Sequence, residues 1–313
     1  MASARRPLPA KRIAVVGSGV VGTATGSGLQ AKGSRVVFCD VVPERLAILR
    51  AHGFHAVPAA ELGPDHDAYF ISVPSPTVEG RVDLTYVETA ARTVGRAIAG
   101  HEHRPLVVVR STVPPGTTET LVRVAVEEES DRIAGDGFSL CMNPEFLREL
   151  SAEEDFLHPR VIVIGSLDDR SDRMIRRLYG PWSTVPILSM SLRSAEMAKY
   201  AANLFNAAKI SFFNELEQVC ATIGADARHV FSAAARGAEG LWNPEYGTRG
   251  LFPFGGACLP KDSTGFLGFA TEHGFAEAML ILQAVIKTNE RLAAKAEPGE
   301  VDSWREQERA RAS

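Results

Sequence analysis

The chain has 313 residues, with 34 Lys+Arg against 38 Asp+Glu and a formal net charge of −4. At roughly 150 residues per domain this is about two domains, each able to bury a core without disulfides or a structural metal. Apolar content of 45% and charged content of 23% exclude wholesale disorder, and the near-balanced charge gives no electrostatic case for nucleic acid or an anionic membrane as partner.

Cys39, Cys141, Cys220 and Cys258 are scattered, with no C-x-x-C pair, so neither a disulfide framework nor a zinc site is expected. The N-terminal MASARRPLPA leads into no signal-type apolar region. No apolar run reaches the roughly 18 residues that span a bilayer. These features predict a soluble, cytoplasmic protein.

Near-continuous β-branched runs at 11–17, 35–40, 67–73, 105–110, 138–143 and 161–165 read as strands buried on both faces. Helical spacing lies between them at 19–32, 43–52, 84–98, 117–128 and 168–179. This alternation predicts an α/β fold, a doubly wound Rossmann-type parallel sheet over residues 1–190. From 191 to 295 the pattern is all-α, built on a long helix at 194–223, with further helices at 226–235, 262–272 and 275–294. A Gly- and Pro-rich ordered loop covers 237–261. Residues 296–313 form a polar tail, in which WREQERARA has the composition of one surface helix.

Gly17-Ser18-Gly19-Val20-Val21-Gly22 is G-x-G-x-x-G directly after a strand and opening a helix. Gly17 permits the tight turn, Gly19 the approach of a pyrophosphate, and Gly22 close helix–strand packing. The free N–H groups of Val20 and Val21 and the positive helix end favour phosphate. Asp40, ending the next strand, suits the ribose hydroxyls and repels a 2′-phosphate, which favours NAD over NADP. Two more strand-end loops, Val73-Pro74-Ser75-Pro76 and Ser111–Thr118, lie at the sheet edge where α/β folds bind ligands. Each is also compatible with a plain proline turn.

Cys258, in Gly255-Gly256-Ala257-Cys258-Leu259-Pro260-Lys261-Asp262, precedes a Lys-Asp pair at a helix start. A helix N-terminus and a nearby ammonium both favour the thiolate. The other three cysteines are assigned to packing. Lys199 and Asn203 lie one turn apart on the long helix, near Glu196, and the alternative for them is an ordinary solvated face. Glu145 and Glu149 follow a strand end and share a face if that segment is helical; the alternative is a surface Glu–Arg turn. His101-Glu102-His103 reads as a polar surface loop, and no metal site is assigned.

Taken together, GSGVVG at 17–22, VPSP at 73–76, STVPPGTT at 111–118, NPEFLRE at 143–149, DFLHPRVIVIG at 155–165, AEMAKYAANLFNAAKISFFNE at 195–215 and FGGACLPKD at 254–262 resemble the UDP-glucose/GDP-mannose 6-dehydrogenase family, in family order from about residue 11 to 292. The resemblance implies NAD-dependent oxidation of the C6 hydroxymethyl of a nucleotide sugar to a carboxylate in two hydride transfers. Cys258 is then the nucleophile, forming a thiohemiacetal and a thioester. Lys199 and Asn203 stabilise the C6 oxyanion, Asp262 and Thr112 orient water or relay protons, and Glu145 acts as general base or holds substrate. The implied cofactor contacts are Gly17, Gly19, Val20, Val21, Gly22, Asp40, Val73, Pro74, Ser111 and Thr112. The implied substrate contacts are Glu145, Phe146, Leu147, Glu149, Lys199, Asn203, Phe254, Gly255 and Gly256.

Two departures stand out. Leu150 replaces a family glycine, and Arg249-Gly250-Leu251-Phe252-Pro253 replaces the family's loop before FGG. The chain also stops just past the central helices, so a short member lacking the C-terminal nucleotide-sugar-binding domain is expected. The family's long helix implies a homodimer, and a partner chain supplying the missing domain is a further expectation. The alternatives are a two-electron sugar dehydrogenase, a hydroxyacid dehydrogenase of the 6-phosphogluconate type, and an NAD-binding protein with lapsed catalysis.

Overall fold

The computed structural model describes residues 11–248 and 250–295, so the expected polar tail lies outside the described residues. Among the described residues ten strands are present: β1 (Arg12–Val16), β2 (Arg35–Asp40), β3 (His55–Pro58), β4 (Ala68–Ile71), β5 (Thr77–Val78), β6 (Arg81–Val82), β7 (Leu106–Val109), β8 (Ser139–Met142), β9 (Ile162–Ser166) and β10 (Ile187–Met190). The eleven described α-helices are α1 (Val20–Ala31), α2 (Pro43–Ala51), α3 (Thr85–Ala99), α4 (Arg123–Ser130), α5 (Ala152–Leu157), α6 (Asp169–Leu178), α7 (Leu192–Ile223), α8 (Ala227–Gly237), α9 (Glu239–Trp242), α10 (Leu259–Glu272) and α11 (Leu280–Ala293).

Eight strands form one sheet in the order β10-β9-β8-β7-β4-β1-β2-β3, while β5 and β6 make a small hairpin. Successive residues on each buried strand enter opposite layers. Ala14, Val16, Tyr69, Ile71, Val107 and Val109 pack with α3 and α4 through Val87, Val94 and Val126. Ile13, Val15, Phe70, Leu106 and Val108 pack on the other face with Leu29, Leu49 and Ile175 of α1, α2 and α6. Two covered faces explain why these strands read as unbroken apolar runs. The expected doubly wound sheet is therefore present, with one correction. β9 runs antiparallel to β8, pairing Gly165 with Met142, and β10 then runs parallel to β9, so the sheet is mostly rather than wholly parallel.

Two edge strands, β3 and β10, and the hairpin add to the expected elements. The segment Asn143–Arg148 is an irregular loop and not a helix, with Pro144 just after the strand. The helix expected over 117–128 opens with a π-helical turn at Thr118–Val122 before α4. Cys39, Cys141 and Cys220 are buried, and burial together with the adjacent Asp40 pushes the Cys39 thiol up to about 12.

The chain divides into two compact units, residues up to Asn203 and residues from Leu204 onward, and the division falls within α7. In the second unit Val219, Ala270, Phe275 and Met279 form the core. Its helix α8 is capped by Asp226, which accepts from the N–H groups of Arg228 and His229 at 2.9 and 3.3 Å. Helix α11 has no cap from its own Met279. Instead Glu215, a buried residue of α7, accepts from Ile281 N–H at 2.8 Å and Leu282 N–H at 3.3 Å. Among the described residues no helix is long and apolar enough to cross a membrane.

Removing the Glu215 carboxylate strands two helix-terminal donors. Glu215→Ala is expected to lower stability by roughly 1–3 kcal/mol in urea unfolding while leaving NADH affinity within about twofold. Wild-type stability in that variant would contradict the assigned cap.

Candidate functional site

The crevice at the carboxyl ends of β1 and β4 is shaped by glycine. Gly17 turns the chain at a φ of +95°, and a Cβ there would lie 2.4 Å from the Ser72 carbonyl oxygen. A Cβ on Gly22 would lie 1.9 Å from the Gly17 carbonyl oxygen, so α1 can approach the loop only through glycine. Gly19 faces open space, with nothing within 4 Å of its Cβ position, and Val20 beside it is half exposed. The first turn of α1 is thus left accessible, with its N–H groups available. Ser72 Oγ, which sequence reasoning overlooked, is buried here without a partner among the described residues.

Asp40 is buried at the end of β2. Its Oδ2 accepts from Ser18 N–H at 2.7 Å and Ser18 Oγ at 2.5 Å, and its Oδ1 accepts from Val42 N–H at 3.0 Å. Burial pushes this carboxyl up, but those hydrogen bonds and Arg45 at 3.8 Å outweigh it and hold it below the ordinary carboxylate range. The two other strand-end loops are tied together. Ser75 Oγ donates to the Thr112 carbonyl at 2.5 Å, and Ser111 Oγ donates to the Val73 carbonyl at 2.7 Å. Ser111 is buried, Val73 and Thr112 are partly exposed, and Pro74 is exposed.

Lys199 does not lie on a solvated face. It is buried on α7, with Nζ 2.7 Å from Glu145 Oε1, and the two side chains are 8% and 10% exposed. The other Glu145 oxygen accepts from Leu147 N–H at 2.6 Å, and the Lys199 ammonium sits 5.8 Å from the Phe146 ring centre. Asn203 and Glu149 are exposed. Glu196, noted beside Lys199 in the sequence but given no role there, is fully buried, and its carboxylate accepts N–H groups from Gly116 and Thr118. These partners lie some 80 residues away in the chain.

In the second unit Cys258 is exposed and forms the N-terminal cap position of α10, which begins at Leu259, earlier than expected. Lys261 pairs with the adjacent Asp262, whose carboxylate raises the Lys261 ammonium above its ordinary range. The Phe254 carbonyl accepts from Asn289 Nδ2 at 3.0 Å, and Gly256 adopts a φ of +85°. A separate cavity of about 450 Å³, lined by Arg12, Arg35 and His55, lies at the amino ends of β1, β2 and β3. Parallel sheets bind ligands at the opposite edge, so no function is assigned to it.

Residues 59–183 match the model of the UDP-glucose/GDP-mannose dehydrogenase family NAD binding domain, and residues 193–291 match that family's central domain. UDP-glucose 6-dehydrogenase AglM of Haloferax volcanii is 33% identical over 302 residues, covering 89% of this chain and 69% of the relative. The chain belongs to the UDP-glucose/GDP-mannose dehydrogenase family. GDP-mannose 6-dehydrogenase of Pseudomonas aeruginosa is 34% identical, over 80% of this chain and 62% of the relative. The crystal structure of a ternary complex of GDP-mannose dehydrogenase from the same species superposes with a TM-score of 0.82 at 31% identity, over 91% of this chain and 69% of that one. A UDP-glucose dehydrogenase from Pyrobaculum islandicum gives 0.70 at 40% identity, over 90% and 68%. The chain therefore spans about two thirds of the length of these relatives.

NAD is the cofactor of this family member, and the residues present fit it. The crevice is closed to any Cβ at Gly17 and Gly22 yet open at Gly19, and the orphaned Ser72 hydroxyl lies at its floor. Such a cradle admits a pyrophosphate to the N-terminus of α1.

The Lys199–Glu145 pair makes a stability prediction. Lys199→Met leaves a carboxylate buried and unpaired, and is expected to cost about 3–5 kcal/mol by urea unfolding. Adding Glu145→Gln should recover most of that loss. Simple additivity of the two losses would contradict a direct buried pair.

Proposed function

We propose that the protein is a nucleotide-sugar 6-dehydrogenase, oxidising the C6 hydroxymethyl of a UDP-glucose- or GDP-mannose-type substrate to the carboxylate. The observation that carries this reading is the Lys199–Glu145 pair: an ammonium and a carboxylate held together in a nearly dry setting, in the same unit as the NAD cradle. A buried ammonium stabilises a developing alkoxide far better than an exposed one. NAD held at the glycine loop of Gly17, Gly19 and Gly22 would supply the hydride acceptor for both oxidations.

The residues divide the remaining work. Lys199 and Asn203 stabilise the oxygen at C6 as its proton leaves. The Cys258 thiolate adds to the aldehyde carbon, forming a C–S bond and a thiohemiacetal. After the second oxidation this is a thioester. Water then attacks the thioester, Glu145 takes its proton, and the C–S bond breaks to release the carboxylate and the thiolate. Thr112 and Asp262 order water and relay protons. The exposed position of Cys258 at the start of a 14-residue helix supports a nucleophilic rather than a packing role. Phe146, Leu147, Glu149, Phe254, Gly255 and Gly256 are assigned to substrate contact. Val20, Val21, Asp40, Val73, Pro74 and Ser111 join the three glycines in holding the cofactor, with Asp40 on the ribose.

We also infer a homodimer formed through α7. Leu204, Phe205 and Ile210 on this helix are about 60% exposed, an apolar stretch suited to burial against a second copy.

The test is the stoichiometry of NADH. With UDP-glucose or GDP-mannose, the wild-type chain is expected to form two NADH per sugar, and Cys258→Ala to lose at least about a hundredfold in rate. One NADH per sugar, insensitive to Cys258→Ala, would favour a two-electron alcohol or hydroxyacid dehydrogenase. Bound NAD without turnover of any candidate sugar would overturn the reading for this chain.

A further inference from the structure

Helix α7 grips the first unit through three residues spaced one turn apart. Arg193 Nε meets Glu119 Oε2 at 2.8 Å, Glu196 receives two N–H groups, and Lys199 holds Glu145. The middle contact is unusual in its chemistry. The turn at Thr118–Val122 leaves N–H groups that no side chain of its own caps, because Thr117 Oγ1 donates instead to the Pro114 carbonyl at 2.7 Å. The missing acceptor is Glu196. Its Oε1 lies 2.7 Å from Thr118 N, and its Oε2 accepts from Gly116. The carboxylate thus sits at the positive end of a helical turn, fully buried, with both oxygens in use.

The loop it holds carries Ser111 and Thr112. These in turn bond the Val73–Ser75 loop, through Ser111 Oγ to the Val73 carbonyl and Ser75 Oγ to the Thr112 carbonyl. Hydrogen bonds therefore tie the Val73–Ser75 loop to Ser111 and Thr112, the backbone of 112–116 carries the link to the two N–H groups held by Glu196, and Lys199 follows one helical turn later.

We propose that Glu196 is a positioning residue that locks the Ser111–Thr118 loop to the helix carrying Lys199. It keeps the cofactor-side groups in register with the ammonium that stabilises the C6 oxygen. This rests on the dehydrogenase reading, and the test below separates the two.

The experiment compares Glu196→Gln and Glu196→Asp with wild type in the full chain, by amide exchange over residues 111–118, NADH affinity and turnover of UDP-glucose and GDP-mannose. Glutamine keeps the size but turns a donor toward an N–H, whereas aspartate keeps two acceptors on a shorter stem. In Glu196→Gln, exchange over the loop is expected to rise about tenfold and kcat to fall about tenfold or more, with KM for the sugar within about threefold. Glu196→Asp is expected to restore part of kcat. Wild-type exchange and kcat in Glu196→Gln would overturn the proposal. So would a fall in activity that merely tracks lost folded protein and is not rescued by aspartate. If the wild type forms no NADH from either sugar, the dehydrogenase reading fails. Exchange and NADH affinity then decide: faster loop exchange with about tenfold weaker NADH binding in Glu196→Gln supports the lock, and no change in either overturns it.

Discussion

Much of this structure depends on buried carboxylates projecting from one helix. α7 sends Glu196 to the uncapped turn at Thr118 in the first unit and Glu215 to the uncapped start of α11 in the second. Each satisfies helix-terminal donors that no local side chain caps, and each is favoured by the positive end of the helix it meets. Lys199, between them in sequence, is stabilised by Glu145 from the end of β8. A helix that was itself only an exposed rod would not need such groups. Here its polar residues act as the acceptors of other elements, so its register along the first unit is specified by hydrogen bonds as well as by packing.

That register has chemical value. The sheet delivers three loops to its carboxyl edge, after β1, β4 and β7, and cross-loop hydrogen bonds hold the latter two together. Preorganised donors and charges need no rearrangement when charge develops at the reacting carbon. The thiol proposed as nucleophile has a different requirement: it must be reachable, and Cys258 is exposed at the start of a helix.

The central strands were legible because both faces are covered, which leaves no polar alternation to confuse the pattern. Strands β3 and β10 were not. As edge strands they are partly exposed, with no unbroken apolar run to mark them. The direction of β9 was equally hidden, since a residue buried on both sides reads the same in a parallel or antiparallel neighbour. The glycine loop and Asp40 were readable from spacing alone, because a cradle is a local feature. The burial of Lys199 was not, for it is decided by Glu145, 54 positions earlier in the chain. The partners of Glu196, and Ser72 altogether, were missed for the same reason: a single polar residue among apolar ones announces its partner only when the chain is folded.

The proposed reaction requires a covalent sugar held by Cys258 between two oxidations. Rapid-quench mass spectrometry of the chain with NAD and UDP-glucose or GDP-mannose tests this most directly. The predicted result is a transient adduct on the peptide containing Cys258, equal to the nucleotide sugar less four hydrogens and dependent on NAD. NADH formed in the first turnover while that peptide keeps its unmodified mass at every quench time would contradict it.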